Sequence, residues 1–269
     1  MVTLSTGVRL RVAESGPTSG RPVLLLHGWG ASLYMYRHAF ERLRASGMRV
    51  IAIDLRGYGL SDKPGDDGAY SLDAYCSDLA ALLDALELPS AALIGQSMGG
   101  ALALRFAMTQ ATRVAKLVLI NPAGLVNVLS RNTLRLMPRA AAGIVGRRLV
   151  PRWSVEFILR YVAYGDPRKV DASDVDEYWS PTQLPGYVYA ARSGLTEFDW
   201  RPLTDAQAAS LAVPTVVILG TRDRLIRNTD AAARRLRGST LYRITGGHCV
   251  HEENPAEVYG TISKFLSGS

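Results

Sequence analysis

Strand-like apolar runs alternate along the chain with segments of helical periodicity, and this alternation restricts the fold more than any other feature. Apolar runs mark residues 23–26, 49–53, 91–94, 116–120 and 215–219, and a further strand is read at 241–244. A run that is apolar at nearly every position fits a strand buried on both faces, whereas a half-wet strand alternates, as residues 8–14 do. Helical segments fall between these runs. One covers residues 34–45 and stops at Gly47. A second begins at Ser71, carries Leu72, Leu79, Leu82, Leu83 and Leu86 on its apolar face, and ends before Pro89. Others run from Met98 to about Met108, around residues 230–236, and from Pro255, a residue suited to a first helical turn, to Leu266. Strands separated by helices imply a mostly parallel sheet covered on both faces.

Residues 122–212 break the rhythm. They hold no clear buried strand and read as several helices interrupted by Pro138, Pro151, Pro167, Pro181 and Pro185. From Arg131 to Lys169, positions 131, 135, 139, 147, 148, 152, 160, 168 and 169 are basic, against acidic residues at 156 and 166. This segment is expected to be a helical cap inserted between two strands of the sheet.

A chain of 269 residues, 48% hydrophobic and 20% charged, can bury a large core. Its net charge of +7 comes from arginines scattered between apolar residues rather than from runs, so the charge reads as solvated surface and no nucleic-acid partner is expected. The apolar run at 22–26 is far too short to span a bilayer, and the first residues lack a basic, then apolar, leader pattern. Cys76 and Cys249 fit a reducing compartment. No membrane insertion and a cytoplasmic location are therefore expected.

The segment Gly95-Gln96-Ser97-Met98-Gly99-Gly100 joins the strand at 91–94 to the helix that follows. A sharp strand-to-helix turn leaves no room for side chains at its flanks, which explains Gly95 and Gly99. It lifts the Ser97 hydroxyl above the sheet edge at a helix N-terminus. The backbone N–H of Met98 is there unpaired and able to donate to an oxyanion.

With this motif the chain resembles the α/β-hydrolase superfamily of serine hydrolases, over nearly its whole length. His27-Gly28-Trp29-Gly30 is similar to the family's oxyanion loop. Asp54-Leu55-Arg56-Gly57-Tyr58-Gly59-Leu60-Ser61-Asp62 is similar to its loop after the fourth strand. Gly247-His248, with Glu253 and Pro255 downstream, is similar to the segment that carries the catalytic histidine. The resemblance implies an eight-stranded, mostly parallel sheet with helices on both faces and a helical cap inserted after strand 6. The core would then be residues 1–121 and 213–269, and the cap residues 122–212. It implies Ser97 as nucleophile, His248 as general base and the backbone N–H groups of Trp29 and Met98 as the oxyanion hole. The Trp29 side chain would line the acyl pocket, and His27 would bond backbone beneath the loop. Asp223 lies in the loop closing the strand at 215–219, where ligands collect on such sheets. Some relatives carry the acid one strand earlier, but Asn121 stands there and supplies no carboxylate. Asp223 is therefore the residue expected to accept from the His248 Nδ1–H. His251 is read as a pocket or capping residue, Arg56, Ser61 and Asp62 as structural, and Cys249 as a small buried filler.

Such a triad attacks a carbonyl, forms an acyl-enzyme and passes it to water. Serine at position 97 excludes the halide- and epoxide-opening relatives, which use an aspartate there. No metal-ligand cluster and no phosphate loop is visible, so no cofactor is implied. The leading expectation is a carboxylesterase acting on a small to medium apolar ester. The apolar cap residues Leu134, Met137, Ile144, Leu149, Phe157 and Leu159 would pack on each other and on the site, with the cap arginines outside. A carbon–carbon bond hydrolase of the meta-cleavage-product type is the first alternative, from which Trp29 and Gln96 depart. Lactone hydrolysis and perhydrolysis are variants, and a ligand receptor of hydrolase fold is the non-enzyme alternative.

Overall fold

Alternate residues of the central strands feed two separate cores, one on each side of the sheet. The computed structural model describes residues 1–126, 150–227 and 229–268. Strands β1 (Val2–Thr3) and β2 (Arg9–Leu10) form a small antiparallel ribbon. The main sheet contains β3 (Val12–Ser15), β4 (Arg21–Leu26), β5 (Met48–Ile53), β6 (Ala91–Gln96), β7 (Val114–Ile120), β8 (Thr215–Gly220) and β9 (Thr240–Ile244). Their order is β3-β5-β4-β6-β7-β8-β9, parallel throughout except for β3, which pairs antiparallel with β5.

Leu24, Leu26, Leu93, Leu117, Leu119 and Val217 face helices α2 (Leu72–Ala85) and α3 (Met98–Thr109) in one core. Val23, Leu25, Ala92, Ile94, Val118 and Ile218 face α1 (Ala39–Ala45) and the last helix, Pro255–Ser267, in the other. The period of two along each strand makes this partition inevitable once both faces are covered. Ser71 caps α2 by accepting from the Ala74 N–H, as its place before the apolar stripe implied.

The sheet holds seven strands where eight were expected, and the reason lies at its antiparallel edge. The alternating stretch at 8–14 is not one strand. Around Arg11 the backbone turns to the loop that follows β5: the Arg11 N–H donates to Ser61 Oγ, and the Asp54 N–H donates to the Arg11 carbonyl. Arg9 likewise accepts from the Asp62 N–H. The loop thus takes the hydrogen bonds that a further strand would have made. The helix expected over 34–45 is also divided, into a single tight turn at Leu33–Tyr36 and α1.

Between β7 and β8 the described residues form no strand; their α-helices are joined by loops and by tight turns at Pro167–Lys169 and Ser180–Gln183. The helices are α4 (Arg152–Ile158), continued by a wider turn at Leu159–Ala163, then α5 (Ala172–Trp179), α6 (Tyr187–Glu197) and α7 (Asp205–Ala209). Val155, Leu159, Ala163, Tyr164, Val170 and Val175 form a third, small core that includes Cys249 from the main body. Leu159 is buried there, whereas Phe157 is 54% exposed instead of packing inward. Leu134, Met137, Ile144 and Leu149 lie outside the described residues, as do Arg131, Arg135, Arg139, Arg147 and Arg148. Arg152 and Arg160 pair with Glu156, and Arg152 also with Asp176. The two cysteines are free thiols.

Arg56 holds its loop through a buried ion pair. Its Nε donates to Asp78 Oδ2 at 2.6 Å and its Nη2 to Asp78 Oδ1 at 2.5 Å, and Nη1 donates to the Ala69 carbonyl. Removing one partner strands the other charge in the core, which costs about 3–5 kcal/mol. Asp78→Ala is therefore expected to lower unfolding free energy by about that amount in a urea titration. A change below about 1 kcal/mol would show that Arg56 finds another partner.

Candidate active site

The chain passes from β4 to β5 on one side of the sheet and returns to place β6 on the other side of β4. Loops leaving β4 and β6 therefore diverge, and the crevice between their C-terminal ends is where ligands settle on such sheets. Ser97 stands in that crevice. It has φ 51° and ψ −115°, a conformation costly for any residue but glycine. Close approach accounts for the flanking glycines. A methyl group at Gly95 would lie 2.3 Å from the Gly99 carbonyl oxygen, and one at Gly99 would lie 2.1 Å from that of Leu26. The Ser97 N–H donates to the Ile120 carbonyl, and its own carbonyl accepts from Ala101 and Ala123. Met98 opens α3, so its N–H has no partner within the helix.

The loop after β4 lies directly against this turn. A methyl group at Gly28 would stand 2.2 Å from Gln96 Oε1 and 3.2 Å from Ser97 Cβ. His27 is fully buried beneath the loop. It accepts from the Leu55 N–H through Nε2 and donates to the Gly28 carbonyl through Nδ1, and burial lowers its pKa. Both nitrogens are occupied by backbone. Trp29 extends from the loop to the insertion, its indole N–H donating to the Ala191 carbonyl of α6 at 2.8 Å. Tyr187 of the same helix donates to the Gly30 carbonyl.

His248 and Asp223 meet across the same edge. His248 Nδ1 lies 2.8 Å from Asp223 Oδ2. The other carboxylate oxygen accepts from the N–H groups of Leu225 and Ile226, which fixes the acid in its own turn. With its proton on Nδ1 the ring donates to Asp223 and leaves Nε2 as an acceptor. Glu253 fastens the histidine loop to the insertion. Its carboxylate accepts from the N–H groups of Gly247 at 2.6 Å, Gly165 at 3.0 Å and Asp166 at 3.1 Å. The Cys249 N–H adds a bond to the Ala163 carbonyl. A second buried carboxylate, Glu252, accepts from Arg37 and Tyr178, and Arg37 also pairs with Asp174 at 2.8 Å.

Ser97, Met98, Trp29, Asp223 and His248 are thus gathered at one sheet edge. His251 is not part of that surface: it is fully buried against Tyr36, with ring centroids 5.4 Å apart. Sequence reasoning overlooked what Gln96 and Asn121 do. Both are buried amides that bond the His248 loop. The available signal was a lone amide at the end of one apolar run, Gln96, and directly after another, Asn121. No group of three or more metal-ligating side chains occurs among the described residues, and no helix among them is long and apolar enough to cross a membrane.

Comparison with known proteins agrees with this architecture. The family model described as alpha/beta hydrolase fold matches residues 21–255, and the chain belongs to that family. It is an enzyme of α/β-hydrolase type. It is 31% identical to a putative 2-succinyl-6-hydroxy-2,4-cyclohexadiene-1-carboxylate synthase of Bacillus subtilis, over 99% of this chain and 97% of that one. It is 32% identical to the magnesium-chelatase 30 kDa subunit of Rhodobacter capsulatus, over 96% and 90% respectively. Among solved structures it resembles a meta-cleavage product hydrolase of Pseudomonas fluorescens IP01, with a TM-score of 0.82 and 24% identity, over 100% and 97% of the two chains.

Neither His251 ring nitrogen has a hydrogen-bond partner among the described residues. Burial, with Arg37, His248 and His38 nearby, brings its pKa from 6.5 down to about 3. Between those values the unfolded chain binds a proton that the folded chain refuses. Stability therefore falls on acidification from pH 6.5 toward 3, by about 1.4 kcal/mol per pH unit from this group. His251→Leu should flatten the slope of unfolding free energy against pH in that window. An unchanged slope would show that His251 is protonated in the folded protein.

Proposed function

We propose that the chain is a serine hydrolase that cleaves a carboxylic ester of a small to medium apolar substrate. Ser97 is its nucleophile, His248 its general base and Asp223 the residue that orients the base. The observation that carries this reading is the 2.8 Å contact of His248 Nδ1 with a carboxylate already fixed by two backbone N–H groups, on the sheet edge where Ser97 occupies its positive-φ turn. Asp223 holds the imidazole in one tautomer and stabilises the imidazolium. His248 Nε2 removes the Ser97 proton as Oγ attacks the carbonyl carbon. The N–H groups of Trp29 and Met98 receive the developing oxyanion. His248 returns the proton to the leaving alcohol, and the same steps run with water to release the acid.

Ser97, rather than an aspartate, at the nucleophile position supports acyl transfer through a serine ester. Apolar surface at Trp29 favours an uncharged group. The arginines Arg152 and Arg160 are occupied by acidic partners. A second reading rests on the Bacillus subtilis relative, whose name specifies a carboxylate. It would have the same serine act on an acidic carbonyl compound, held by an arginine.

A chain-length panel of esters and lactones that includes one vinylogous diketo acid separates the two. Ser97→Ala and His248→Ala are each expected to lower kcat by a factor of about 10⁴ or more on the best substrate, and His251→Ala far less. Arg152→Gln and Arg160→Gln should leave neutral-ester turnover within a few-fold. Retained turnover in Ser97→Ala would refute the triad. A diketo acid as best substrate, lost on removal of a single arginine, would replace the ester reading with the acidic one.

A further inference from the structure

Two buried side-chain amides, Gln96 and Asn121, join the segments that carry the three members of the triad. Each is 1% exposed. Gln96 precedes Ser97, and its Nε2 donates to the His248 carbonyl at 3.0 Å, while its Oε1 packs on Gly28 of the loop after β4. Asn121 follows the last residue of β7 in a positive-φ conformation, φ 41°. Its Nδ2 donates to the carbonyls of both Gly247 and His248, each at 3.0 Å, and its Oδ1 accepts from the Gly220 N–H at 2.8 Å. Gly220 is tied in turn to the acid, since its carbonyl accepts from the Asp223 N–H.

The His248 carbonyl therefore accepts from two amides that come from two different strand ends. One of these amides also grips the loop of the acid, and the other adjoins the nucleophile. Loops diverging from the end of a sheet have no intrinsic reason to keep a fixed spacing. A side chain with both a donor and an acceptor can set it, because one amide bridges a carbonyl of one loop and an N–H of another. Neither amide is placed to touch a reacting atom. We propose that Asn121 and Gln96 are positioning residues that fix the spacing of the Asp223 and His248 loops relative to Ser97. The proposal rests on the triad reading above.

A double-mutant cycle on a turned-over ester tests it. Displacing a catalytic group by about 1 Å costs up to about 100-fold. Asn121→Ala is therefore expected to lower kcat by about 10- to 100-fold with KM changed less than about 3-fold. In the Asp223→Asn background, where the pair it positions is already broken, the same substitution should cost less than about 3-fold. Equal losses in the two backgrounds, or an unchanged kcat in Asn121→Ala, would overturn the proposal while leaving a dead Ser97→Ala enzyme, and hence the triad, intact. If Asn121→Ala does not fold, Gln96→Met removes the other donor at nearly constant volume and enters the same cycle. Failure of both variants to fold would make the amides structural and would overturn the positioning role.

Discussion

Everything at the site depends on how closely the start of α3 can approach the end of β4. The Gly99 Cα lies so near the Leu26 carbonyl that no side chain fits between them. That approach forces the chain through a positive φ at Ser97, a strain on the order of 1–3 kcal/mol. Backbone bonds around the turn offset it: Ser97 to Ile120, and Ala101 and Ala123 to Ser97. The arrangement has two results. Ser97 is set at the strand-to-helix turn, and the loop at Gly28 lies directly against it. A glycine-to-alanine change at position 99 would separate β4 from α3 and dismantle both.

The other half of the site is assembled by polar groups that replace water between diverging loops. Glu253 gathers three N–H groups from the histidine loop and the insertion. Arg37, Asp174, Tyr178 and Glu252 connect the loop after β4, α5 and the short helix that bears His251. Asn121 and Gln96 close the network under His248. Such groups are costly to bury unpaired and effective at fixing geometry when paired. The segment between β7 and β8 is thereby fastened to the His248 loop through Gly165 and Ala163, and to the loop after β4 through α6 at Trp29 and Gly30.

The parts of this molecule that follow from local pattern were readable in the sequence. Apolar strands at 23–26, 91–94 and 116–120, the cap at Ser71 and the glycines around Ser97 all obey short-range rules. The strand count implied by family likeness exceeded what the residues themselves showed, because Arg9 and Arg11 give their backbone bonds to the loop at 54–62. Which apolar residues between β7 and β8 face inward could not be read either. Phe157 and Leu159, two positions apart along α4 and the turn that continues it, must fall on different faces, but only tertiary packing decides which of the two faces is buried. Asn121 was recognised only as a position lacking a carboxylate, since its three bonds reach residues about a hundred or more positions away. His251 looked like a pocket residue by its nearness to His248, but the turn of the short helix directs it into the body of the protein.

The central claim is that the strained turn presents Ser97 as a nucleophile activated by His248. Labelling the intact protein with an aryl phosphonate fluoride, followed by mass spectrometry of the whole chain and of its peptides, addresses that claim without knowledge of the natural substrate. The account requires one phosphonyl group per chain, on Ser97, with the labelling rate falling by orders of magnitude in His248→Ala. Absence of label from an enzyme that still turns over esters, or a label on another residue, would contradict it.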